Sequence, residues 1–594
     1  MTDGSTARRR PARQVAAAAA LAMVLLGVPF ALAAADREAP AAVSTPAAVA
    51  AEALVVAPGG SDDAAGSAAA PLKTVGAAVD RAVSGQTILL RAGSYHESVT
   101  IPPGKQLSIR SYPGEKAWFD GSVPVTDFAS QGSTYVAEGW TAEFDASPTY
   151  TKGAPDGTSP GWQFVNEEHP MAAHPDQVWI DGEPQQQVGS LSEVKAGTFY
   201  VDYAGDRLFL GSNPEGRSVR ASALDKALSI LAADSEVAGI GIRRYATSVP
   251  QMGTVTVEAP GVLLKDVAIT DNATTGLFVG ATTATLRNVD ASRNGMLGAA
   301  ATYADGLRIG RLLAQHNNTE HFNTAPVSGG MKVDRTRGVA IDSSVFSGND
   351  GPGLWADESV YDVVVRGSRM LGNSRHGLSL ELSAKAVVVN NIIAGNAGHG
   401  LKVNNTSQVQ IWNNTFSGNG RAINILQDSR RASDRGTPGH DPRQPFPDPT
   451  MSWINGPVTV RNNVIANPRA GADCLLCVED YSGTYSAEEL KITALGNVYH
   501  QTVADQPAVI WAQASGRPVL FATPDDFAAE TGQERQHLAL RGADPLLDGY
   551  RPAAVIGGSA DAVAQPLPAY LAQLAGQPAG TRSLGAFAAE PDGP

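Results

Sequence analysis

Cysteine is almost absent: two residues in 594, Cys474 and Cys477, in the phrase CLLC. A structural zinc site needs four ligands, and no second pair exists, so zinc is excluded. On spacing alone the pair is either a small disulfide loop or two incidental thiols. Positive charge is also in short supply. Lys and Arg total 45 against 59 Asp and Glu, a net charge of −14. That balance argues against nucleic acid and anionic membrane as partners. Aromatic residues are scarce, at 6%. Beyond the first 35 residues no stretch is long and apolar enough to span a bilayer.

The first 35 residues read as a secretory signal. Arg8, Arg9, Arg10 and Arg13 precede the apolar run VAAAAALAMVLLGVPFALAAA, which ends in small residues. Four arginines and one aspartate would leave with it, taking the net charge to −17. The expected location is therefore extracellular. Residues 36–53 are rich in Ala and Pro and read as a linker.

What the chain does have is a repeat. Asparagines recur at 272, 294, 317, 349, 373, 396 and 419, mostly 22–24 residues apart. Five of them close short β-branched phrases such as LKDVAITDN and VQIWNNTFSGN. A second polar pair recurs at Asn390–Asn391, Asn413–Asn414 and Asn462–Asn463. Asparagine tolerates left-handed backbone and suits sharp corners. Apolar residues alternate with period two, which excludes helix. Such strands bury their apolar side only when coils stack. The expectation is an all-β right-handed parallel β-helix solenoid.

The chain resembles the secreted, pectin-lyase-like β-helix superfamily over roughly residues 54–500. The opening VAPGGSDDAAGSAAAPLKTVGAAVDRAVSGQTILLRAGSYHESVTIP is similar to that superfamily's N-terminal cap. The resemblance implies a short capping helix near 72–84, with cap and first coils over 54–121. Residues 122–220 break the period and read as an inserted antiparallel β subdomain. The repeats with the site follow over 221–500, and 501–594 is expected to be irregular and packed along the solenoid.

Aligning the coils on Gly276, Gly306, Gly330, Gly353, Gly377 and Gly400 sorts the side chains by face. The first and third positions after each glycine are apolar and point inward. The second and fourth face out. Two after the glycine stand Phe278, Arg308, Lys332, Trp355, Ser379 and Lys402; four after it stand Gly280, Gly310, Asp334, Asp357, Glu381 and Asn404. Three stacked carboxylates repel one another, and at least one pKa is expected to rise. Longer stretches at Asn294–Gly306 and Asn317–Gly330, and the excursion after 420, are expected to wall this face. They bring Tyr303, Glu320, His321 and Arg430 as candidates to reach over the acids. His376 and the GHG corner at Gly398–Gly400 read as surface features.

Carboxyl groups on adjacent coils suit a retaining glycosidase, which needs them about 5–5.5 Å apart. Asp357 is expected to attack the anomeric carbon and Glu381 to protonate the leaving oxygen. Trp355 offers a plate for a sugar ring. Asp334 and Lys332 hold hydroxyls and tune the nucleophile, and Lys402, Asn404, Arg308, Glu320 and His321 complete the substrate contacts. GLWAD followed one coil later by GLSLELS resembles the β-helix β-xylosidases of glycoside hydrolase family 120. That resemblance implies an Asp nucleophile at 357 and a Glu acid/base at 381. No cofactor is expected for a hydrolase. A polysaccharide lyase with Lys332 or Lys402 as base, and calcium on the acids, is the alternative; a non-catalytic glycan-binding solenoid is the third.

Overall fold

The computed structural model describes residues 53–503, 506–514 and 516–587. The secretory-signal reading (1–35) and nearly all of the linker (36–53) lie outside them. No helix among the described residues is long and apolar enough to cross a membrane.

The chain winds as a solenoid of parallel strands. One wall is a 13-stranded sheet; the other faces merge into a 24-stranded sheet. The helix Val75–Arg81 closes the N-terminal end. Thr74 caps it through Ala77 N, and Glu97 accepts from Val75 N and Gly76 N at 2.9 Å each. Val75, Ala78 and Val79 sink into the first coil, covering apolar surface the end would otherwise expose.

The inward register is continuous. Met331, Leu354, Leu378, Leu401, Ile423, Leu476 and Val509 pair in successive rungs, and all are buried. At the corner, Asn272, Asn294, Asn317, Asn349, Asn373, Asn396 and Asn419 form one ladder. Each side-chain amide donates to the next asparagine's Oδ1 at 2.8–3.3 Å. Asn391, Asn414, Asn463 and Asn497 form a second ladder, which ends on Glu534. The preceding Asn390, Asn413 and Asn462 have φ of 60°, 50° and 57°, so in each pair one asparagine turns the chain and the next bonds along the stack. Every rung thereby satisfies buried backbone at its own corner.

Between Val99–Ile101 and its rung neighbour Leu228–Ile230 the chain leaves the solenoid. Eight strands between Ser122 and Ser222 form a separate sheet, antiparallel except where Glu183–Gln187 meets Thr198–Asp202. Val178, Ile180, Phe199, Leu208 and Leu210 give it its own core.

At the far end the solenoid runs past residue 500, because Val509–Trp511 extends the 13-stranded wall and Leu538–Arg541 the other sheet. The tail then packs back along the coils: Leu567 and Leu571 lie against Val389 and Trp412, and Asn413 Nδ2 donates to Ser583 O. Cys474 and Cys477 are joined by a disulfide.

One coil differs from the sequence alignment. The strand between Thr275–Val279 and Gly329–Asp334 is Leu297–Thr302, not the segment after Gly306. Gly298, four residues beyond Asn294, holds the column; a Cβ there would meet Gly330 O at 2.7 Å. LGAAAT is mostly alanine and glycine, which carry little strand signal, while the next glycine phrase, GLRIG, matches the apolar spacing of the other coils. Arg308–Gly310 in fact pairs in the 24-stranded sheet, with Thr285–Arg287 and Ala340–Asp342.

Candidate active site

The 13-stranded wall presents two outward columns. One runs Phe278, Ala300, Lys332, Trp355, Ser379, Lys402. The other runs Thr302, Asp334, Asp357 and then Glu381, Asn404. Glu381 follows the paired rung Ala356–Leu380, as Asp357 does one strand away. The residue after each acid, Arg335, Glu358 and Leu382, has φ of 43°, 52° and 46°. Each carboxylate therefore stands on the last rung before a left-handed corner.

The columns floor a groove of about 740 Å³. Tyr150, Trp162 and Phe164 of the insertion, Thr324–Val327 and Thr437–Pro438 rise around it. Asp357 and Glu381 are only 6% and 7% exposed, so their charge states are set by protein partners rather than water.

Those partners differ. Glu381 receives Arg430 Nη2 at 2.6 Å, Lys402 Nζ at 3.1 Å and Asn404 Nδ2 at 3.1 Å. Burial pushes its carboxyl up, but the two cations outweigh this and hold it below the ordinary range. Asp357 has Lys332 Nζ at 3.3 Å and the Glu358 backbone N–H at 2.8 Å. Burial, with Glu381 and Asp334 close by, pushes Asp357 up to about 7 against the pull of Lys332. Asp334 is pushed up to about 6, chiefly by burial. The rise expected on at least one of the three acids falls on Asp357 and Asp334, while Glu381 is held down.

Lys332 is held at four points. Its ammonium sits 4.1 Å from the centre of the Trp355 ring, donates to Pro326 O at 2.9 Å, and lies 3.3 Å from Asp357 and 3.8 Å from Asp334. Its pKa is raised because the neighbouring carboxylates outweigh burial. It therefore stays protonated, and it supplies between Asp334 and Asp357 the positive charge a calcium ion would bring. Among the described residues no cluster of three or more His, Cys, Asp or Glu suits a metal ion. Two polar atoms on the floor have no hydrogen-bond partner, Trp355 Nε1 and Ser379 Oγ. A ligand with hydroxyl groups would satisfy them.

Of the residues read from the sequence, the structure gathers Asp334, Asp357, Glu381, Lys332, Trp355 and Lys402 at the groove, with Arg430 reaching Glu381; Asn404 is buried beside Glu381 and does not line the groove. Arg308 is not among them; it is exposed on another sheet. Glu320 and His321 line a different cavity, because Asn323 N donates to Phe164 O at 2.8 Å and ties their loop to the insertion. Tyr303 packs under Arg443 instead. Sequence reasoning missed Tyr150, Trp162 and Phe164, whose approach is decided by how the insertion folds back. It also missed His376 as a groove residue. His376 Nδ1 accepts from His399 N at 3.0 Å and the two rings stack at 4.6 Å. Burial and nearby cations keep His376 neutral, so its other ring nitrogen carries the proton.

Residues 253–416 and 359–434 match the family model described as the right handed beta helix region. The fold is a right-handed parallel β-helix. Over 112 residues it is 43% identical to pectate lyase PEL9 of Emericella nidulans; the match covers 16% of this chain and 27% of that protein. The chain thus spans about a quarter of the length of that relative. Among solved structures, XylC in complex with xylose superposes with a TM-score of 0.60 at 14% identity, over 84% of this chain and 88% of that one. Pectate lyase Pel9A gives 0.33 at 14%, over 69% and 76%. At these identities the structural likeness is one of fold.

Proposed function

We propose that this protein is a secreted, carbohydrate-active enzyme, a retaining glycoside hydrolase that cleaves a neutral oligosaccharide or polysaccharide. One observation carries the reading. Asp357 and Glu381 stand side by side on adjacent rungs of a groove, and their surroundings drive them to opposite charge states. Neighbouring strands lie about 4.8 Å apart, close to the carboxyl separation retaining enzymes need.

The donors around Glu381 favour the opposite order of roles from the one expected from the sequence. Glu381, held ionised, attacks the anomeric carbon as the bond to the leaving oxygen breaks. Asp357, protonated near neutrality, gives its proton to that oxygen. In the second step Asp357 takes a proton from water, the hydroxide displaces Glu381, and both groups return to their starting states. Lys332 limits the charge that builds at Asp357 and Asp334. Trp355 supports the sugar ring, with Ser379 and His376 beside it to meet its hydroxyls. Export is supported by the basic–apolar N-terminal segment and by the Cys474–Cys477 disulfide, which suits an oxidising compartment.

A polysaccharide lyase is the second reading, favoured by the 43% identical segment of pectate lyase PEL9. Lys332, held protonated, is a poor base for it. The test is a panel of neutral and uronate oligosaccharides with wild type, Asp357→Asn and Glu381→Gln. New reducing ends without an ultraviolet-absorbing unsaturated product, lost in both variants, support the hydrolase. An unsaturated product overturns it in favour of the lyase, and retention without turnover in favour of a binding protein. Azide with Asp357→Ala and Glu381→Ala fixes the order: the variant lacking the nucleophile yields the glycosyl azide of inverted configuration.

A further inference from the structure

The loop 318–328 has a cavity on either side. Thr324–Val327 face the carboxylate groove, while Thr319, Glu320 and His321 face a second space of about 730 Å³ beneath the inserted sheet. Phe322 and Val327 pack between the two with Ala172, Ala173 and Met296. The second cavity shares no lining residue with the groove.

Its chemistry is one of unmet hydrogen-bond acceptors. Gln187 is 8% exposed, and its Nε2 donates to Asp176 Oδ2 at 3.4 Å, which fixes the amide's orientation. Its Oε1 is buried and has no partner, and neither has Gln177 Oε1. An amide oxygen left so is destabilising unless something donates to it. Glu320 brings a carboxyl that burial pushes up to about 7. Arg293 is already paired with Asp271 at 2.8 and 2.9 Å, and His321 Nδ1 lies 2.9 Å from Asp350 Oδ2. His169 stacks on His321 with ring centres 4.5 Å apart. Trp179 and Met171 supply apolar surface beside these acceptors. Buried acceptors beside an apolar plate, with Arg293 the only Lys or Arg among the described lining residues and already paired, suit a neutral ligand that donates several hydrogen bonds from one edge and offers C–H groups on its face.

We propose that this cavity is a second carbohydrate-binding site, which takes the hydroxyl-bearing edge of a neutral sugar and is separate from the carboxylate groove. It lies on the face of the inserted sheet formed by Val178–Ile180 and Glu183–Gln187. The insertion thereby gains a role of its own, that of holding a glycan near the solenoid.

The test is hydrogen–deuterium exchange of the full chain with xylo-, cello- and galacto-oligosaccharides and with glucosamine oligosaccharides, repeated with Gln177→Ala and with the double variant Asp357→Asn/Glu381→Gln. A bound neutral sugar is expected to slow exchange at 177–188 and 319–321 in both wild type and the double variant. Gln177→Ala is expected to weaken that protection about tenfold in ligand concentration without changing the thermal midpoint. Protection confined to 353–357 and 377–381 overturns the proposal, as does protection of 177–188 that Gln177→Ala leaves intact. Binding only by amino sugars overturns the ligand class. Because the readout is local, loss of hydrolytic activity bears on the groove alone and leaves this outcome separately readable.

Discussion

Arg430 reaches Glu381 at 2.6 Å across 49 residues of sequence, from an excursion that leaves the wall after Gln427 and folds back over it. Asp428 holds the guanidinium from the other side at 2.7 Å. The charge of a residue on the rigid wall is thus set by a loop. Arg430→Met should let the Glu381 carboxyl rise, because a cation that favours its ionised form is gone. With Glu381 as nucleophile, the acid limb of the kcat/KM profile then moves to higher pH. A profile that stays in place, with only KM raised, would make Arg430 a substrate contact instead.

Asp357 affects stability in the opposite sense from a salt-bridged carboxylate. Its folded pKa, about 7, lies above its ordinary 3.8, so the folded state binds the proton more tightly than the unfolded state does. Its contribution is most favourable at low pH and is lost as pH rises from about 4 through about 7. Asp357→Asn should therefore raise the thermal midpoint more at pH 8 than at pH 5. Calorimetry at both values reads this directly, and equal shifts would remove the proposed proton donor.

Asn373 sits mid-ladder. It accepts from Asn349 N and Nδ2 and donates to Asn396 Oδ1 and Phe346 O. Asn373→Ala leaves buried donors and acceptors unpaired on both neighbouring rungs, each costing roughly 1–3 kcal/mol. A lowered denaturation midpoint is expected, with activity per folded molecule preserved.

Arg308 separates the two registers. On the sequence alignment it stands in the outward column beside Lys332; in the structure it pairs with Ala340 on another sheet. Arg308→Ala should leave kcat/KM within about twofold, the ordinary range for a surface change remote from a site. Trp355→Ala, on the true column, should raise KM by about tenfold or more through loss of the ring's plate. Steady-state kinetics on one substrate compares both.

The sequence by itself determined the coil. Asparagine spacing, period-two apolar residues and a glycine before each strand sufficed to put Asp334, Asp357 and Glu381 on one face, because parallel stacking repeats local geometry from rung to rung. It misled at Leu297–Thr302, where Ala299 and Ala301 are buried in the wall but alanine carries little strand signal. Only the tertiary structure decided what stands over that face. Tyr150 and Trp162, Thr324–Val327 and Arg430 arrive from insertions with no period to extrapolate. The proton balance between Asp357 and Glu381 depends on them, since in a buried site charge follows the nearest partners in space, whatever their distance along the chain.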